Sequence, residues 1–423
     1  MTAVLPAGAH NRVVVADDTV FDGAWSDLAP WSGVPAVAAF LTRDLLAPAR
    51  AAWLAASEPH RETLIATAAR VGIAQQQEWR DGGMAIVRWP TAQPDAGHDD
   101  QHVDHPEAPR EPDAGRVWLL TSGSTGRPKQ VAHTIDSLTT VATDQPPRTW
   151  LCPYTPGAYA WWQVVTLSLS VPGQDIVFVD GARADIWPHR ALEAGVTAAS
   201  GTPTFWRQAI FRSGETLAQL PLEQITLGGE PVDQAILDQL GEMFPDARLS
   251  WIYASSEAGA AIAVHDGQAG FPSAWLDRHT PGRPQVRVVD GELVIVATHG
   301  AQGMDTEIRT GDRADTHGDR VLITGRLASD EINVGGAKVS AAEVRGVLLQ
   351  HPEVLWAHVR GRKAPIVGQM VQAEVVPAGA AATDGLTDRL TRWCRDRLPE
   401  YAVPRRIRVL SEIPIKETLK SDV

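Results

Sequence analysis

The strongest structural signal in this sequence is a short loop rich in glycine and hydroxyl residues. It follows the apolar run Val117–Leu120, which predicts a strand, and we expect a helix after it. Glycines let backbone amides surround a polyphosphate without a Cβ in the way, while hydroxyl groups add donors and a lysine adds charge. The spacing differs from that of the common G-x-x-x-x-G-K-[ST] nucleotide loop. The sequence predicts a phosphate-binding loop formed by Thr121-Ser122-Gly123-Ser124-Thr125-Gly126-Arg127-Pro128-Lys129.

From Val117 onward, short apolar runs alternate with helical segments. This alternation predicts a parallel sheet covered by helices on both faces, with binding sites at the carboxyl ends of its strands. A helix is expected where Val232, Ile236, Leu237, Leu240 and Met243 recur on one face. The other strand candidates in this region are Ile176–Val179, Val196–Ala199, Ile225–Leu227 and Leu249–Tyr253.

The chain before this region has weaker patterns. Residues 1–95 are typical of mixed helix and loop, with an Ala-rich helical stretch from Val34 to Ala69. Residues 93–115 are rich in Pro, Asp and His, which indicates a loop. We interpret His98, His102 and His105 as solvated loop residues rather than as a metal site, because nothing nearby supplies a supporting set of ligands.

After about Pro281 the pattern favours hairpins. Val286–Val289 and Leu293–Val296 are joined through Asp290-Gly291, a strong turn signal. The last part of the chain again mixes strand and helix and has the size of a small separate domain. Its candidates are strands at Val354–Val359, Val371–Val376 and Ile407–Leu410 and a helix over Leu386–Leu398.

Composition excludes several classes of protein. The net charge of −13 disfavours a nucleic-acid partner, since phosphate backbones bind basic surfaces. The two cysteines are far apart, there is no signal-peptide pattern, and no apolar run approaches the length of a membrane span. We therefore expect a cytoplasmic protein without disulfides and without membrane insertion.

The phosphate loop closely resembles that of the adenylate-forming superfamily, which contains acyl-CoA synthetases, nonribosomal peptide synthetase adenylation domains and luciferases. Further strings resemble the other motifs of this superfamily and occur in its order. They are Gly228-Gly229-Glu230-Pro231, Tyr253-Ala254-Ser255-Ser256-Glu257, Arg309-Thr310-Gly311-Asp312, Gly325-Arg326, the stretch from Asp330 to Val339, Leu398-Pro399-Glu400-Tyr401-Ala402-Val403-Pro404, and the stretch from Ile413 to Lys420. The resemblance covers roughly residues 117–423, and the chain before the loop is shorter than is usual in the family.

The resemblance implies a nucleotide site. It assigns Tyr253 to the adenine, Ser256 to the phosphate, Glu257 to Mg²⁺ and Asp312 to the ribose hydroxyls. Arg326 is expected at the ribose or phosphate. Gly229 and Glu230 would lie along the adenine and the acyl pocket, beside Thr121, Ser122, Gly123, Ser124, Thr125, Gly126 and Lys129 of the phosphate loop.

The resemblance also implies an α/β fold with two domains. Residues 1–327 would form a large domain of layered sheets and helices, with its core from about residue 117, and residues 328–423 a small mobile α+β domain. The hinge would lie within residues 328–330, Gly335-Gly336 would meet the thiol acceptor, and Lys420 would be the catalytic lysine. The residue before that lysine is usually Gly and is Leu419 here.

The implied activity is ATP-dependent activation of a small carboxylic acid and transfer of the acyl group to a thiol. Adenylation needs no general base, since a carboxylate is already ionised at neutral pH. The thiol would be that of coenzyme A or of the pantetheine of an acyl-carrier protein, and the sequence does not decide between them. Acyl transfer to an amine is also compatible with the sequence, as is a non-catalytic AMP-binding protein.

The sequence restricts the acid. Family members that activate α-amino acids usually place an Asp within residues 153–173, and this segment has none. Tyr159, Trp161, Trp162 and Ala254 are candidate pocket residues, and bulky rings there would favour an aryl or short acyl acid. The alternative for Trp161 and Trp162 is that both pack in the core.

Overall fold

A computed structural model describes residues 5–16, 21–29, 31, 33–88, 102–113, 115–121, 128–141, 143–297, 307–327, 331–364, 368–378, 384–415 and 419–420. The strands are β1 Arg12–Val15, β2 Phe21–Ala24, β3 Val37–Thr42, β4 Glu62–Thr67, β5 Ala85–Arg88, β6 His102–Asp104, β7 Arg116–Thr121, β8 Lys129–Thr134, β9 Arg148–Cys152, β10 Gln174–Phe178, β11 Ala198–Gly201, β12 Gln224–Gly228, β13 Arg248–Ser255, β14 Gly259–Val264, β15 Phe271–Pro272, β16 Gln285–Val289, β17 Glu292–Val296, β18 Glu307–His317, β19 Arg320–Arg326, β20 Glu331–Val334, β21 Ala337–Ser340, β22 Val354–Ala364, β23 Gly368–Pro377 and β24 Arg406–Val409. The α-helices are α1 Leu46–Ser57, α2 Ile73–Asp81, α3 Ile135–Leu138, α4 Tyr159–Ser170, α5 Trp187–Ala194, α6 Pro203–Leu217, α7 Gln234–Met243, α8 Ala341–Leu349 and α9 Leu386–Arg395.

The largest sheet has the strand order β14-β13-β12-β11-β9-β10-β1-β2. Its six central strands are parallel and its two edge strands are antiparallel. Connections through α4, α5, α6 and α7 join the parallel strands, as expected for crossovers in an α/β sheet. The α/β prediction is confirmed, and the ends of β12 and β13 present Gly228 and Tyr253 at the same edge.

A second sheet, ordered β6-β5-β3-β4-β7-β8, is built largely from the N-terminal region. The predicted helical stretch from Val34 to Ala69 is therefore wrong, because Val37–Thr42 and Glu62–Thr67 are paired parallel strands on either side of α1. All six residues of β3 are buried, so this strand is a continuous apolar run without the alternation that marks a half-exposed strand. The core of the large domain also begins far before residue 117, since β1 and β3 are both central strands of their sheets.

The chain after the phosphate loop forms a strand and not the helix we expected. β8 pairs antiparallel with β7, with Thr121 opposite Lys129, so the loop connects two strands of a hairpin. Val131 and His133 are buried while Ala132 and Thr134 are only partly buried, which is the two-residue period of a strand. Residues 122–127 lie outside the described part of the chain.

The third sheet is antiparallel, in the order β15-β19-β18-β17-β16. The predicted hairpin is confirmed, with Val289 paired to Glu292 across Asp290-Gly291. Both turn residues have positive φ, 52° and 75°, as a type I′ turn requires.

The C-terminal sheet is separate from the other three. β22 and β23 pair over ten residue pairs, β24 runs parallel to β23, and the β20–β21 hairpin joins the beginning of β23. Helices α8 and α9 contribute Val344 and Leu390 to a core that they share with Ala373 of the sheet. The hinge predicted within 328–330 lies outside the described residues.

The predicted loop over 93–115 contains a strand at its centre. His102 is exposed in β6 and lies 2.8 Å from Asp104, His105 is exposed, and His98 lies outside the described residues. Within the described ranges no three His, Cys, Asp or Glu side chains form a group suited to a metal ion. No helix there is long and apolar enough to span a membrane.

Candidate active site

Tyr253 and Asp312, which lie in different sheets, are joined by a hydrogen bond. The Tyr253 hydroxyl at the end of β13 donates to Oδ2 of Asp312 on β18 over 2.6 Å. Arg326 on β19 reaches the other carboxylate oxygen with its Nε at 3.1 Å. The three residues that the sequence assigned to adenine and ribose binding therefore lie in one cluster.

The backbone around Asp312 is held in place by its neighbours. Gly311 has φ of 72°, a left-handed conformation that favours glycine, and a Cβ there would lie 3.4 Å from the Arg326 guanidinium. Glu292 on β17 accepts from the Gly311 amide at 2.9 Å and pairs with Arg309. The β17–β18 pairing has a bulge between Glu292 and Val294. Sequence reasoning missed Glu292, whose only signal is its position at this bulge.

The Asp312 carboxylate is mostly buried, and burial raises its pKa above 3.8. The Tyr253 hydrogen bond and the nearby charges of Arg326 and Lys420 oppose this shift. An acceptor held next to two donors in a low-dielectric site is suited to bind ligand hydroxyl groups.

Lys420 reaches this cluster from the C-terminal end of the chain. Its side chain lies over Gly229, where a built Cβ would be 3.3 Å from Cε and 3.6 Å from Nζ of the lysine. Burial lowers the pKa of Lys420 below 10.5, partly offset by the charges of Glu230 and Asp312. The Lys420 ammonium, shielded from solvent and close to Glu230, Asp312 and Gly229, is positioned to meet an anionic ligand.

Leu419 anchors this lysine. It has a left-handed φ of 58°, the conformation that glycine adopts freely, which explains why glycine is usual at this position in the family. The side chain is 3% exposed and packs in the core of the large domain, against Gly181. Its carbonyl accepts from the hydroxyl of Thr202, a residue that sequence reasoning did not single out.

Glu230 caps a helix. Its carboxylate accepts from the amide and the hydroxyl of Thr204, at 2.9 and 3.0 Å, in the first turn of α6. Gly229, Glu230 and Lys420 are thus brought together, with Glu230 held by the helix N-terminus.

The backbone of Ser256, next to Glu257, is held by His133, which sequence reasoning also missed. His133 is fully buried on β8, just after the phosphate loop, and its Nε2 donates to the Ser256 carbonyl over 2.6 Å. Its Nδ1 lies 3.0 Å from the Ser137 hydroxyl, and burial lowers the pKa of His133, which favours the neutral ring. This histidine ties the segment that should contact phosphate and Mg²⁺ to the strand that follows the loop.

The aromatic pocket candidates separate into two groups. Trp161 and Trp162 on α4 are wholly buried in the core between the two large sheets, with Trp161 also against Phe178. Tyr159 lies nearer the site, with its ring 5.9 Å from that of His133, and Ala254 is partly exposed at the end of β13.

The remaining predicted residues lie at the borders of the site. Thr121 and Lys129 begin and end the phosphate hairpin, of which Ser122, Gly123, Ser124, Thr125 and Gly126 lie outside the described residues. Gly336 forms the turn of the β20–β21 hairpin with Gly335, and a Cβ at either position would meet no described atom within 4 Å.

A cavity of about 640 Å³ adjoins Leu419. It lies at the carboxyl ends of β3, β4, β9 and β10, where the two large sheets meet. Its polar lining includes Thr42, Asp44, Thr155 and Asp180. This volume is suited to a small organic ligand.

Comparisons with known proteins agree with this geometry. Residues 33–304 match the family model described as AMP-binding enzyme, and residues 343–420 match the AMP-binding enzyme C-terminal domain. The chain belongs to the AMP-binding enzyme family, within the adenylate-forming superfamily.

Named relatives include coenzyme A ligases. The chain is 27% identical to a feruloyl-CoA synthase of Amycolatopsis sp over 362 residues, covering 78% of this chain and 72% of that protein. It is 28% identical to the 2-succinylbenzoate–CoA ligase of Escherichia coli over 308 residues, covering 68% of this chain and 63% of that protein. An anthranilate CoA ligase in complex with anthranoyl-AMP has the same fold, with a TM-score of 0.73 at 15% identity over 97% of this chain and 92% of that one.

Proposed function

We propose that this enzyme joins a small carboxylic acid to AMP and then transfers the acyl group to the thiol of coenzyme A. The observation that carries the proposal is the position of Lys420, which lies over Gly229 and near the cluster of Tyr253, Asp312 and Arg326. A nucleotide bound by that cluster would bring its α-phosphate within reach of the lysine.

In the first step a carboxylate oxygen of the acid attacks the α-phosphorus of ATP. An oxygen–phosphorus bond forms, the bond to the β-phosphate bridge breaks, and pyrophosphate leaves with the bonding pair. Negative charge is spread over phosphoryl oxygens in the transition state, so Lys420 and Arg326 would stabilise it through fixed positive charge. Asp312 would orient the ribose by accepting hydrogen bonds from its hydroxyls.

Glu257 would be the protein ligand of Mg²⁺. This ion commonly takes one or two protein carboxylates and completes its shell with phosphate oxygens and water. When bound, it would neutralise charge on the leaving pyrophosphate. His133 would fix the backbone that carries Ser256 and Glu257, and the phosphate loop would surround the other oxygens.

In the second step the thiol attacks the acyl carbonyl. A carbon–sulfur bond forms, AMP leaves with the electron pair of the broken carbon–oxygen bond, and the thiol proton passes to solvent. Relatives named as CoA ligases favour coenzyme A as the acceptor.

A cluster of arginines on the small domain also supports a phosphate-bearing acceptor. Arg360 on β22 and Arg406 on β24 flank Gln372 of β23 in register, and both are exposed. Arg362 and Arg408 continue this face of the sheet, where Glu374 lies 3.7 Å from Arg360 and 3.6 Å from Arg408 and partly offsets the positive charge. Guanidinium groups match phosphate oxygens in pairs, which suits the phosphates of coenzyme A in a chain with a net charge of −13. An acidic carrier protein is the alternative occupant of the same face.

The acid is proposed to be aryl or short-chain and to lack an α-amino group. Residues 153–173 carry no carboxylate that could pair with an ammonium. We infer that the acid enters the adjoining cavity of about 640 Å³, whose volume would limit its size.

The test is ATP–pyrophosphate exchange with a panel of aryl, short-chain, long-chain and amino acids, in the presence of Mg²⁺ and without thiol. Exchange with aryl or short acyl acids would support the proposal, and exchange with amino acids alone would contradict it. ATP binding without exchange for any acid would favour a non-catalytic AMP-binding protein.

The acceptor is tested next with the acid that gives exchange. Coenzyme A, holo-acyl-carrier protein and a simple amine are compared as acceptors. Faster product formation with coenzyme A is expected, and a preference for either of the other two would replace this part of the proposal.

A further inference from the structure

A partly buried carboxylate, with a side chain 23% exposed, joins the two domains behind the nucleotide site. Asp233 follows the Gly229–Glu230 segment and caps α7, accepting from the Ile236 amide at 3.2 Å. Both of its oxygens lie 2.7 Å from Nη2 of Arg207 on α6. A second guanidinium, that of Arg345 on α8 of the small domain, lies 3.6 Å from Oδ2.

The arginine side of this ion pair between the domains is shielded from solvent. The side chains of Arg207 and Arg345 are only 4% and 11% exposed. Burial opposes ionisation of Asp233, but the charges of the two arginines outweigh it and hold the pKa of this carboxyl below 3.8. Because Arg207 already neutralises the carboxylate within the large domain, Arg345 is the member that depends on domain position.

The chain connects this contact to Lys420. Lys420 lies over Gly229, and Asp233, four residues later, forms an ion pair with Arg345. The short segment 229–233 therefore meets the small domain twice, once through the lysine and once through the arginine. Glu230, between them, fixes the segment on the first turn of α6.

We propose that Arg345 is a positioning residue for adenylate formation, which acts through Asp233 to hold the small domain where Lys420 lies over Gly229. This inference rests on the proposed function. It assigns no role to Arg345 in the reaction of the adenylate with a thiol, because the second step as proposed above makes no use of the Lys420 charge. Loss of Arg345 should therefore affect the two half-reactions unequally.

The experiment compares Arg345→Ala, Arg345→Lys and wild type in two assays, with the acid that gives exchange in the wild type. Pyrophosphate exchange reports the first step, and release of AMP from a supplied acyl-adenylate with coenzyme A reports the second. We expect Arg345→Ala to lower kcat for exchange about tenfold or more, Arg345→Lys to lower it less, and both to leave thiolysis within about twofold of wild type.

Arg212→Ala is the matched control. Arg212 also joins the domains, through Glu412 at 2.8 Å, but both side chains are exposed, so its loss should change exchange less than about threefold. Equal loss of both half-reactions in Arg345→Ala, or unchanged exchange, would overturn the inference. If the wild-type enzyme shows no pyrophosphate exchange with any acid, the proposed function itself is contradicted. That result differs from a failure confined to Arg345→Ala, so the two failures are distinguishable.

Discussion

Leu419→Gly replaces the residue before Lys420 with the one usual in the family and tests how the lysine is held. Leu419 is 3% exposed, and loss of such a buried side chain costs about 3 kcal/mol. Its φ of 58° is strained for leucine, and glycine would relieve about 1 kcal/mol. The net loss of about 2 kcal/mol corresponds to a roughly 30-fold weaker docking of the lysine segment.

The assay is pyrophosphate exchange at saturating ATP, with ATP binding measured separately. We expect kcat to fall by up to about 30-fold while ATP affinity changes little, because Tyr253 and Asp312 are untouched. Leu419→Ala is the variant to compare with Leu419→Gly. It loses the same packing but keeps a Cβ in the left-handed conformation, so it should be a few-fold slower than Leu419→Gly. Wild-type exchange in Leu419→Gly would refute the anchoring role, and a faster Leu419→Ala would refute the left-handed backbone.

Three further predictions concern groups near the site. Asp233→Asn should lose most of its attraction to Arg345, and the effects of Asp233→Asn and Arg345→Ala on exchange should be less than additive in a double-mutant cycle; full additivity would show that the two residues do not interact. His133→Gln keeps a donor toward the Ser256 carbonyl, so it should retain more exchange activity and need less Mg²⁺ for half-saturation than His133→Ala; identical Mg²⁺ dependence would rule out this role. Burial lowers the pKa of Lys420, so the cation should be lost at a pH below the 10.5 of an ordinary lysine, and kcat/KM for exchange should fall as the pH rises through that range. Lys420→Arg should remove this fall, because arginine stays charged. A decline that is unchanged in Lys420→Arg would assign it to another group.

Local patterns predicted those parts of the fold whose conformation is set by neighbouring residues. The Asp290-Gly291 hairpin is one such case, because its turn needs two positive φ values that this dipeptide adopts readily. The helix over Gln234–Met243 is another, since its apolar residues recur on one face. The β3–α1–β4 unit was missed because a wholly buried strand of Val, Ala, Phe and Leu has the composition of a helix.

Some residues of the candidate site could be predicted from local sequence motifs, and others could not. Tyr253, Asp312, Arg326 and Lys420 lie in motifs that could be recognised in the sequence, and the structure brings them close together. His133 could not be identified beforehand, since its role depends on a contact with Ser256 that only the packing of two sheets creates. The same holds for Arg345 and Asp233, which belong to different domains.

The position of α4 has a consequence for changing which acid the enzyme accepts. Trp161 and Trp162 fill the core shared by the two large sheets, with their rings 5.0 Å apart, so smaller residues there would leave a cavity costing about 3–5 kcal/mol. Evolution or engineering of a new specificity is therefore expected to avoid them. Arg43 and Ala182, which are exposed and border the open cavity beside Leu419, can vary in size without disturbing that core, and libraries built there should yield folded variants far more often.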